Sequence, residues 1–259
     1  MKYFDTHAHY DDKRFKDDRH ETIANVKSSG TEYVLNSGAS YNSSVMAVEL
    51  SEKYNSIYAS VGVHPHYASN LNDEILEKMI RLCKHDKVVA FGEIGLDFYR
   101  NISPKETQIH WFKKQLEAAT KVELPVIIHS RDSDQQVFDI LKESNMPDYG
   151  NGKGVIHCYS GSAEMALEYV KMGYFIGVGG VITFSNAKKL VETVEKIPLE
   201  KILIETDCPY LSPEPNRGKR NDSSNLKFIV EKIAEIKKVS PEHVAKVTLE
   251  NGLSLFRIK

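Results

Sequence analysis

The sequence predicts a closed barrel of eight parallel strands, each followed by a helix. Three observations favour this fold class. Strand-like and helix-like segments alternate eight times along the chain. The strand-like segments are mostly continuous apolar runs, as expected when both faces of a parallel sheet are buried. The length of 259 residues is typical of a (β/α)8 TIM barrel. An open doubly wound sheet is the alternative, but such a sheet usually has fewer strands.

Short apolar runs define the predicted strands. They cover residues 4–9, 31–35, 56–63, 88–94, 125–128, 154–156, 174–178 and 201–205. No linker, low-complexity tract or change of composition interrupts this alternation. Residues 1–259 are therefore predicted to form a single domain.

Helices are predicted between the strands from helical spacing of apolar residues and from start and stop signals. The first four cover residues 21–29, ending before Gly30, residues 42–54, a segment capped by Asn72, and residues 103–121. The last of these begins with Ser103 as cap, Pro104 at the first helical position and Glu106 three residues after the serine.

The second half of the chain continues the same pattern. Apolar residues at helical spacing from Val137 to Leu141 predict the next helix. Ser162 is predicted to cap a helix that stops at Gly173. A further helix is predicted from about residue 187 to the residue before Pro198, since proline disfavours helical backbone in front of it. The last two are predicted over residues 226–237 and from Ser240 onward.

The composition excludes several classes of protein. With 41% hydrophobic and 27% charged residues, the chain can bury a large core. No apolar run of about 18 residues predicts a membrane span, and the first residues lead directly into a strand rather than a signal peptide. The three cysteines have no ligand-like spacing, which favours reduced thiols and a cytoplasmic location. A net charge of −2 means that a nucleic-acid partner would need a local cluster of cations.

Two histidines end the first predicted strand. Side chains alternate along a strand, so His7 and His9 point to the same side. Two converging imidazoles form half of a site for a divalent metal ion. A structural histidine pair is the alternative for this motif taken alone.

Further polar side chains fall at the carboxyl ends of other predicted strands, and these ends meet at one mouth of a barrel. The candidate metal ligands are His7, His9, Glu93, His129, His157 and Asp207. Six ligands exceed the needs of one ion, and a carboxylate can bridge two. We therefore expect His7, His9 and Asp207 at one ion, His129 and His157 at the other, and Glu93 between them.

Two divalent ions per subunit are thus predicted, with Zn²⁺, Mg²⁺ and Mn²⁺ all compatible with imidazole and carboxylate ligands. Paired metal ions of this kind activate a bridging water as a nucleophile at neutral pH. The candidate catalytic residues are Glu93 and Asp207. Because the ligand set is already complete, His64 and His66 are predicted to face the substrate.

A cationic loop follows the eighth predicted strand. It contains Arg217, Lys219 and Arg220, and Arg131 lies two residues after a candidate ligand. A solvated surface loop is the simpler interpretation, but cations above a metal site suit an anionic substrate, and arginine binds phosphate through two parallel hydrogen bonds. Nearby aromatic residues could stack on bases: Phe98, Tyr99, Tyr159, Phe184 and Tyr210. Cys158 and Cys208 are expected to be small buried residues rather than nucleophiles.

The motifs together resemble those of the TatD-type metal-dependent deoxyribonucleases, a branch of the amidohydrolase-like barrels. The matching segments are residues 5–9, 62–66, 92–97, 129–131, 157–161, 205–209 and 217–221, in the order typical of that family. The resemblance implies the same six metal ligands, with Glu93 where many related barrels use a carbamylated lysine. It also implies that His64 and Arg131 lie near the substrate phosphate and that Glu205 supports the metal site from behind.

Two positions depart from the family pattern. Asp222-Ser223 stands where an acidic residue and a proline are usual, so greater flexibility of this loop is expected. Tyr159 stands where phenylalanine is common. Neither position belongs to the candidate ligands, but both could alter substrate preference.

The leading hypothesis is a 3′-to-5′ exonuclease-type phosphodiesterase acting on DNA, with single strands or frayed ends as substrate and no obligate protein partner. The first alternative is hydrolysis of another ester or amide on the same barrel, for example deacylation of an aminoacyl-tRNA. A non-catalytic protein that binds metal or nucleic acid is the second alternative.

Overall fold

The computed structural model describes all 259 residues and contains one eight-stranded parallel sheet. Each strand pairs with the next in chain order. The strands are β1 (Tyr3–Ala8), β2 (Thr31–Ser37), β3 (Ile57–Val61), β4 (Val88–Asp97), β5 (Val126–Arg131), β6 (Gly154–Ile156), β7 (Tyr174–Val178) and β8 (Ile202–Ile204).

The sheet closes between β8 and β1, as the sequence predicts. The Asp207 amide donates to the carbonyl of His7 at 2.9 Å, and the His9 amide donates to the carbonyl of Cys208 at 2.8 Å. These bonds join the ends of the two strands just where three of the candidate ligands lie. The (β/α)8 fold class is confirmed, and closure also removes the free sheet edges.

Nine helices follow the strands. They are α1 (Arg19–Ser28), α2 (Tyr41–Lys53), α3 (Asp73–Leu82), α4 (Lys105–Lys121), α5 (Asp134–Glu143), α6 (Ala163–Lys171), α7 (Lys188–Lys196), α8 (Leu226–Lys237) and α9 (Pro241–Leu255). The predicted caps Asn72 and Ser162 are present, and Ser240 caps the last helix, since each of these side chains accepts a hydrogen bond from an amide three residues later. None of the nine helices has both the length and the apolar character needed to cross a bilayer.

The start of α4 differs from the prediction. The helix begins at Lys105, with Pro104 as its cap, and Ser103 makes no capping bond. The hydroxyl of Ser103 instead donates to the His66 carbonyl and accepts from the Ser69 amide. Ser103 therefore anchors the short 3-10 helix Pro65–Asn70 that follows β3, a contact that local sequence signals cannot reveal.

Three strands, β2, β4 and β5, end later than predicted, and β4 and β5 carry candidate ligands. β4 extends to Asp97 and β5 to Arg131, where Gly95 pairs with His129 and Asp97 pairs with Arg131. The polar residues at these ends interrupt the apolar runs on which the predicted boundaries depend. His129 thus lies on paired backbone, whereas Glu93 lies at an irregularity of β4 between the pairs Phe91–Val126 and Ile94–Ile128, where its amide donates to the Gly38 carbonyl at 2.8 Å.

Two large apolar clusters support the barrel. The first contains 44 buried residues from strands and surrounding helices. The second takes side chains from seven strands and joins them to the end of the chain through Leu255, Phe256 and Ile258. The polar site is confined to the carboxyl ends of the strands, above this apolar frame.

Candidate metal centre

His7 on β1, His9 just after that strand and Asp207 after β8 supply the first group of ligand atoms. Nε2 of His7 and Nε2 of His9 are 3.0 Å apart. Oδ1 of Asp207 lies 3.9 Å from the first nitrogen and 3.5 Å from the second. His7 is fully buried, and His9 and Asp207 are partly buried. The three side chains present their donor atoms close enough together to hold one ion.

Glu93 lies between two groups of histidines. Its Oε2 is 3.4 Å from Nε2 of His7 and 3.6 Å from Nε2 of His9. Its Oε1 is 2.9 Å from Nδ1 of His129 and 3.2 Å from Nε2 of His157. The two oxygens of one buried carboxylate therefore face different imidazole groups, which is the arrangement expected of a bridging ligand.

His64 was predicted to face the substrate, but its side chain is buried within the cluster of candidate ligands. Its Nε2 is 3.5 Å from Oε1 of Glu93, and the side chain is buried. With Glu93 and His129 it forms a further group whose donor atoms could share one ion. His66 has a different environment, with Nε2 2.8 Å from Oδ2 of Asp97.

The carboxylates and histidines of the cluster shift one another's pKa values. Burial disfavours a charged His9, but Asp207, Glu93 and Asp11 outweigh this effect and raise the pKa of His9 to about 9. Burial opposes the charge on His157 too, yet Glu93 and Glu205 raise its pKa well above the usual value. Burial would raise the pKa of Glu93, but the surrounding imidazoles hold it well below its usual range.

Groups behind the histidines orient their rings. Nδ1 of His9 lies 2.9 Å from the Ser37 carbonyl and can only donate there, which leaves the Nε2 lone pair of the neutral ring facing the cluster. The hydroxyl of Ser37 lies 3.2 Å from Nδ1 of His7. Oε1 of the buried Glu205 lies 3.2 Å from Nδ1 of His157, although the two atoms are not aligned as a hydrogen bond. The same oxygen accepts from the Cys158 amide at 2.5 Å.

Two buried aspartates received no role from the sequence. Asp97 ends β4, and its Oδ2 lies 3.4 Å from Nε2 of His129 as well as beside His66. Asp5 accepts hydrogen bonds from the amide and hydroxyl of Thr206 and from the hydroxyl of Ser223. The position of Asp97 at a strand end, three residues beyond the predicted boundary, is the signal that could have identified it.

The cations predicted to bind substrate are not equivalent. The guanidinium groups of Arg131 and Arg217 stack on the rings of Tyr99 and Phe184, at 4.0 and 4.3 Å from the ring centres. Lys219 is exposed and makes only a 3.5 Å contact with Asn216. Arg220, in contrast, donates to both carboxylate oxygens of Asp18 at 2.8 and 2.5 Å.

The loop after Asn221 is held in place despite its departure from the family pattern. Asp222 caps the short 3-10 helix Ser223–Asn225 by accepting from the Ser224 amide. Ser223 is buried, and its amide donates to the Tyr10 hydroxyl at 3.0 Å in addition to the bond from its side chain to Asp5. A proline at this first helical position would supply a fixed φ, whereas the serine supplies hydrogen bonds instead. Hydrogen bonds of Asp222 and Ser223 thus anchor this part of the loop.

The remaining predicted residues divide by exposure. Tyr99 and Tyr210 are 62% and 45% exposed, whereas Tyr159 is buried and donates its hydroxyl proton to the Ser162 carbonyl. Cys208 is buried, as expected, and Cys158 is partly buried. Burial raises the pKa of the Cys158 thiol to about 12, which agrees with a non-nucleophilic role.

The donor set fits divalent metal ions. Imidazole nitrogens and carboxylate oxygens converge without a lysine or arginine among them, so all the donor atoms are of types that bind divalent ions. Three buried polar atoms of the cluster have no hydrogen-bond partner, namely His129 Nε2, His157 Nδ1 and Glu205 Oε2. The two unpartnered ring nitrogens are turned toward Asp97 and Glu205, so Nδ1 of His129 and Nε2 of His157, on the side of Glu93, are the nitrogens that would hold a metal ion.

Comparison with known proteins places this site in a family context. The family model described as "TatD related DNase" matches residues 4–257 of the chain. YabD from Bacillus subtilis, named an uncharacterized metal-dependent hydrolase, is 44% identical over 255 residues, which cover 98% of this chain and 99% of that protein.

Solved structures agree with these relatives. The crystal structure of YjjV, a TatD homologue from Escherichia coli, superposes with a TM-score of 0.93 at 30% identity and covers 99% of this chain and 98% of its own. A TatD family hydrolase from Entamoeba histolytica gives a TM-score of 0.85 at 27% identity, with 98% of each chain covered.

Proposed function

Because the chain belongs to the family of TatD-related DNases and is a metal-dependent hydrolase, we propose that it is a deoxyribonuclease of the 3′-to-5′ exonuclease type. The position of Glu93 is the observation that carries the proposal. Its two oxygens face separate groups of histidines, as a carboxylate shared by two metal ions would. Such pairs of ions are common in enzymes that cleave phosphodiesters.

In this proposal two divalent ions are held by His7, His9, Glu93, His129, His157 and Asp207. When bound, the ions lower the pKa of water to near 7 and offset negative charge on the phosphoryl oxygens. Nearby Glu205 keeps the His157 ring in place from behind, and Ser37 does the same for His7 and His9.

The other residues act on the substrate. Asp207 is partly exposed at the cluster and is placed to accept the proton that the attacking water loses. His64, Arg131, Arg217 and Lys219 contact the phosphates of the substrate strand. Arg220 has its guanidinium committed to Asp18, so it positions the loop that carries the other cations.

The proposal is tested by digestion of a short labelled DNA strand together with metal analysis of the protein. We expect the untreated protein to bind two ions and to release nucleotides from the 3′ end, and a chelator to stop the reaction. Asp207→Asn should lower kcat by about 10²- to 10⁴-fold, as expected for loss of a general base. Glu93→Ala should lose both metal and activity.

Asp86→Asn is the matched control, because Asp86 is exposed and lies at the opposite end of β4 from the cluster. Its activity should equal that of the wild type. Digestion that proceeds equally fast in chelator contradicts the proposal. A panel of ester and amide substrates, including aminoacyl-tRNA, tests the alternative hydrolase activity in the same preparation.

A further inference from the structure

Exposed apolar side chains concentrate around the mouth of the barrel, which we define as the carboxyl ends of the eight strands and the loops that follow them. Seven large hydrophobic residues of the chain are exposed. Five of them lie in loops after β3, β4 and β8, namely Tyr67, Tyr99, Ile102, Tyr210 and Leu211. Exposed apolar side chains grouped at one end of a protein commonly mark a surface for a ligand or partner.

Two of these residues form stacks with arginine. The Tyr210 stack consists of Tyr210 and Arg14, whose guanidinium carbon is 3.8 Å from the ring centre. Asp12 fixes both partners, since it accepts from the Tyr210 hydroxyl at 3.0 Å and from Nε of Arg14 at 3.2 Å. The ring is thus held at a defined angle, while 45% of the residue remains exposed.

The Tyr210 stack adjoins the candidate metal centre. The centres of the Tyr210 and His9 rings are 6.5 Å apart and the ring planes are nearly perpendicular. A nucleotide whose phosphate lies beside His9 and Asp207 would therefore have its base within reach of the Tyr210 ring.

The Tyr99 stack consists of Tyr99, in the turn after β4, and Arg131, the last residue of β5. The guanidinium carbon lies 4.0 Å from the ring centre, and Tyr99 is 62% exposed. Arg131 follows His129 by two residues, so this stack adjoins the second group of ligands.

The two stacks lie on opposite sides of the mouth. Strand order in the barrel is sequential, and β4 and β5 therefore face β8 and β1 across it. The Tyr99 stack belongs to the first pair of strands and the Tyr210 stack to the second. The candidate metal centre, which takes ligands from β1, β4 and β5 and from the segments after β6 and β8, lies between them.

We propose that Tyr99 and Tyr210 are stacking platforms for the two unpaired bases that flank the scissile phosphate of a single DNA strand. This inference rests on the proposed function. Aromatic rings bind bases of any sequence through their π faces, and an arginine behind each ring adds a positive charge close to the strand. Bases paired in a duplex cannot stack on both rings, so the platforms select single strands and frayed ends.

The test measures whether the effect of replacing each tyrosine depends on one particular base of the substrate. KM and kcat are measured on a short labelled single strand and on two analogues, in which an abasic tetrahydrofuran residue replaces the terminal or the penultimate nucleoside. Tyr99→Leu and Tyr210→Leu should each raise KM by about 5- to 100-fold on the normal strand, with kcat nearly unchanged. Tyr99→Phe and Tyr210→Phe, which restore the ring, should restore KM.

On the analogue that lacks the base stacked on the replaced tyrosine, each leucine variant should have the same KM as the wild type. That base is already absent, so loss of the ring removes no stacking. Tyr149→Leu is the control, since Tyr149 also lies beside an arginine, Arg257, but outside the mouth in the segment before β6. Its KM should equal that of the wild type on all three strands.

The outcomes separate this inference from the proposed function. A wild-type protein that digests no DNA strand in the presence of metal overturns both. Normal digestion combined with equal losses on normal and abasic strands overturns the stacking alone. The stacking proposal is also overturned if only one tyrosine shows a KM loss that disappears on the abasic strand. The proposal requires a platform on each side of the scissile phosphate.

Discussion

At the scale of single residues, Glu205 is not a candidate metal ligand, but it influences the charge and the orientation of one, His157. The residue is completely buried after β8, and one oxygen lies beside Nδ1 of His157. Its charge helps to raise the pKa of that histidine, although burial opposes the effect. Carboxylates behind metal-binding histidines fix the ring and increase its basicity.

We expect Glu205→Gln to weaken metal binding by about 10- to 100-fold, because the amide keeps the shape of the side chain but removes its charge. Calorimetric titration of the metal-free protein with Zn²⁺ or Mn²⁺ measures the change. Glu200→Gln is the matched control, since Glu200 is exposed just before β8 and lies far from the cluster along that strand. Unchanged affinity in Glu205→Gln would show that Glu205 does not support the metal centre.

At the scale of elements, the loop between β8 and α8 combines one tightly anchored cation with more exposed ones. Asn221 is buried and donates to the carbonyls of Thr206 and Tyr210, which ties the two ends of the loop together. Arg220 binds Asp18 beside α1. Arg217 and Lys219 remain exposed, and the one ion-pair contact of Arg217, with the exposed Glu214, is long at 3.8 Å. The loop can therefore present cations to a strand without moving as a whole.

Because Arg220 is paired with Asp18, its removal should change the salt dependence of DNA binding less than removal of a more exposed arginine. Each phosphate contact with a single strand contributes about 0.7 to the slope of log K against log salt concentration. Arg131→Gln and Arg217→Gln should each reduce the slope by about that amount, whereas Arg220→Gln should reduce it by less. Binding is measured by fluorescence anisotropy without divalent metal ions, so that no strand is digested.

Arg81→Gln serves as the control for these variants, because Arg81 is exposed on α3 and has no ion-pair partner. Its slope should match that of the wild type. A full reduction in Arg220→Gln would mean that DNA displaces Asp18 and that Arg220 contacts phosphate directly, contrary to the anchoring role given to it here.

At the scale of the whole molecule, the candidate metal centre joins segments that are far apart in the chain. Its ligands come from residues 7 to 207, and the backbone bonds from His9 to Cys208 and from Asp207 to His7 close the barrel at the same place. Unfolding would separate all of these groups. A metal ion that binds several of them should therefore stabilise the folded barrel against the unfolded chain.

We expect Zn²⁺ or Mn²⁺ at about 100 times its dissociation constant to raise the free energy of unfolding by about 2.7 kcal/mol. For a chain of this size, that gain corresponds to a rise in Tm of about 5–10 °C, measured by calorimetry. Glu93→Ala should show a much smaller rise, because its histidines lose the carboxylate between them. An equal rise in this variant would indicate that the metal binds elsewhere.

Local sequence patterns were sufficient to predict the barrel and the position of the site. Continuous apolar runs and helical spacing report burial on one or two faces, which is a property of neighbouring residues along the chain. The rule that strand ends converge in a barrel then brings His7, Glu93, His129 and Asp207 to one mouth. Boundaries were less predictable at β4 and β5, because the polar residues of the site interrupt the apolar pattern there.

The amino-acid sequence by itself therefore determined the fold and the chemical types of side chain that meet at the mouth. Only the tertiary structure decided how these groups are paired: which oxygen of Glu93 faces which histidine, that Asp97 adjoins His129, and that Arg220 binds Asp18. These pairs join segments as much as 202 residues apart. Their geometry depends on the path of the loops and on backbone closure, which the periodicity of nearby residues does not encode.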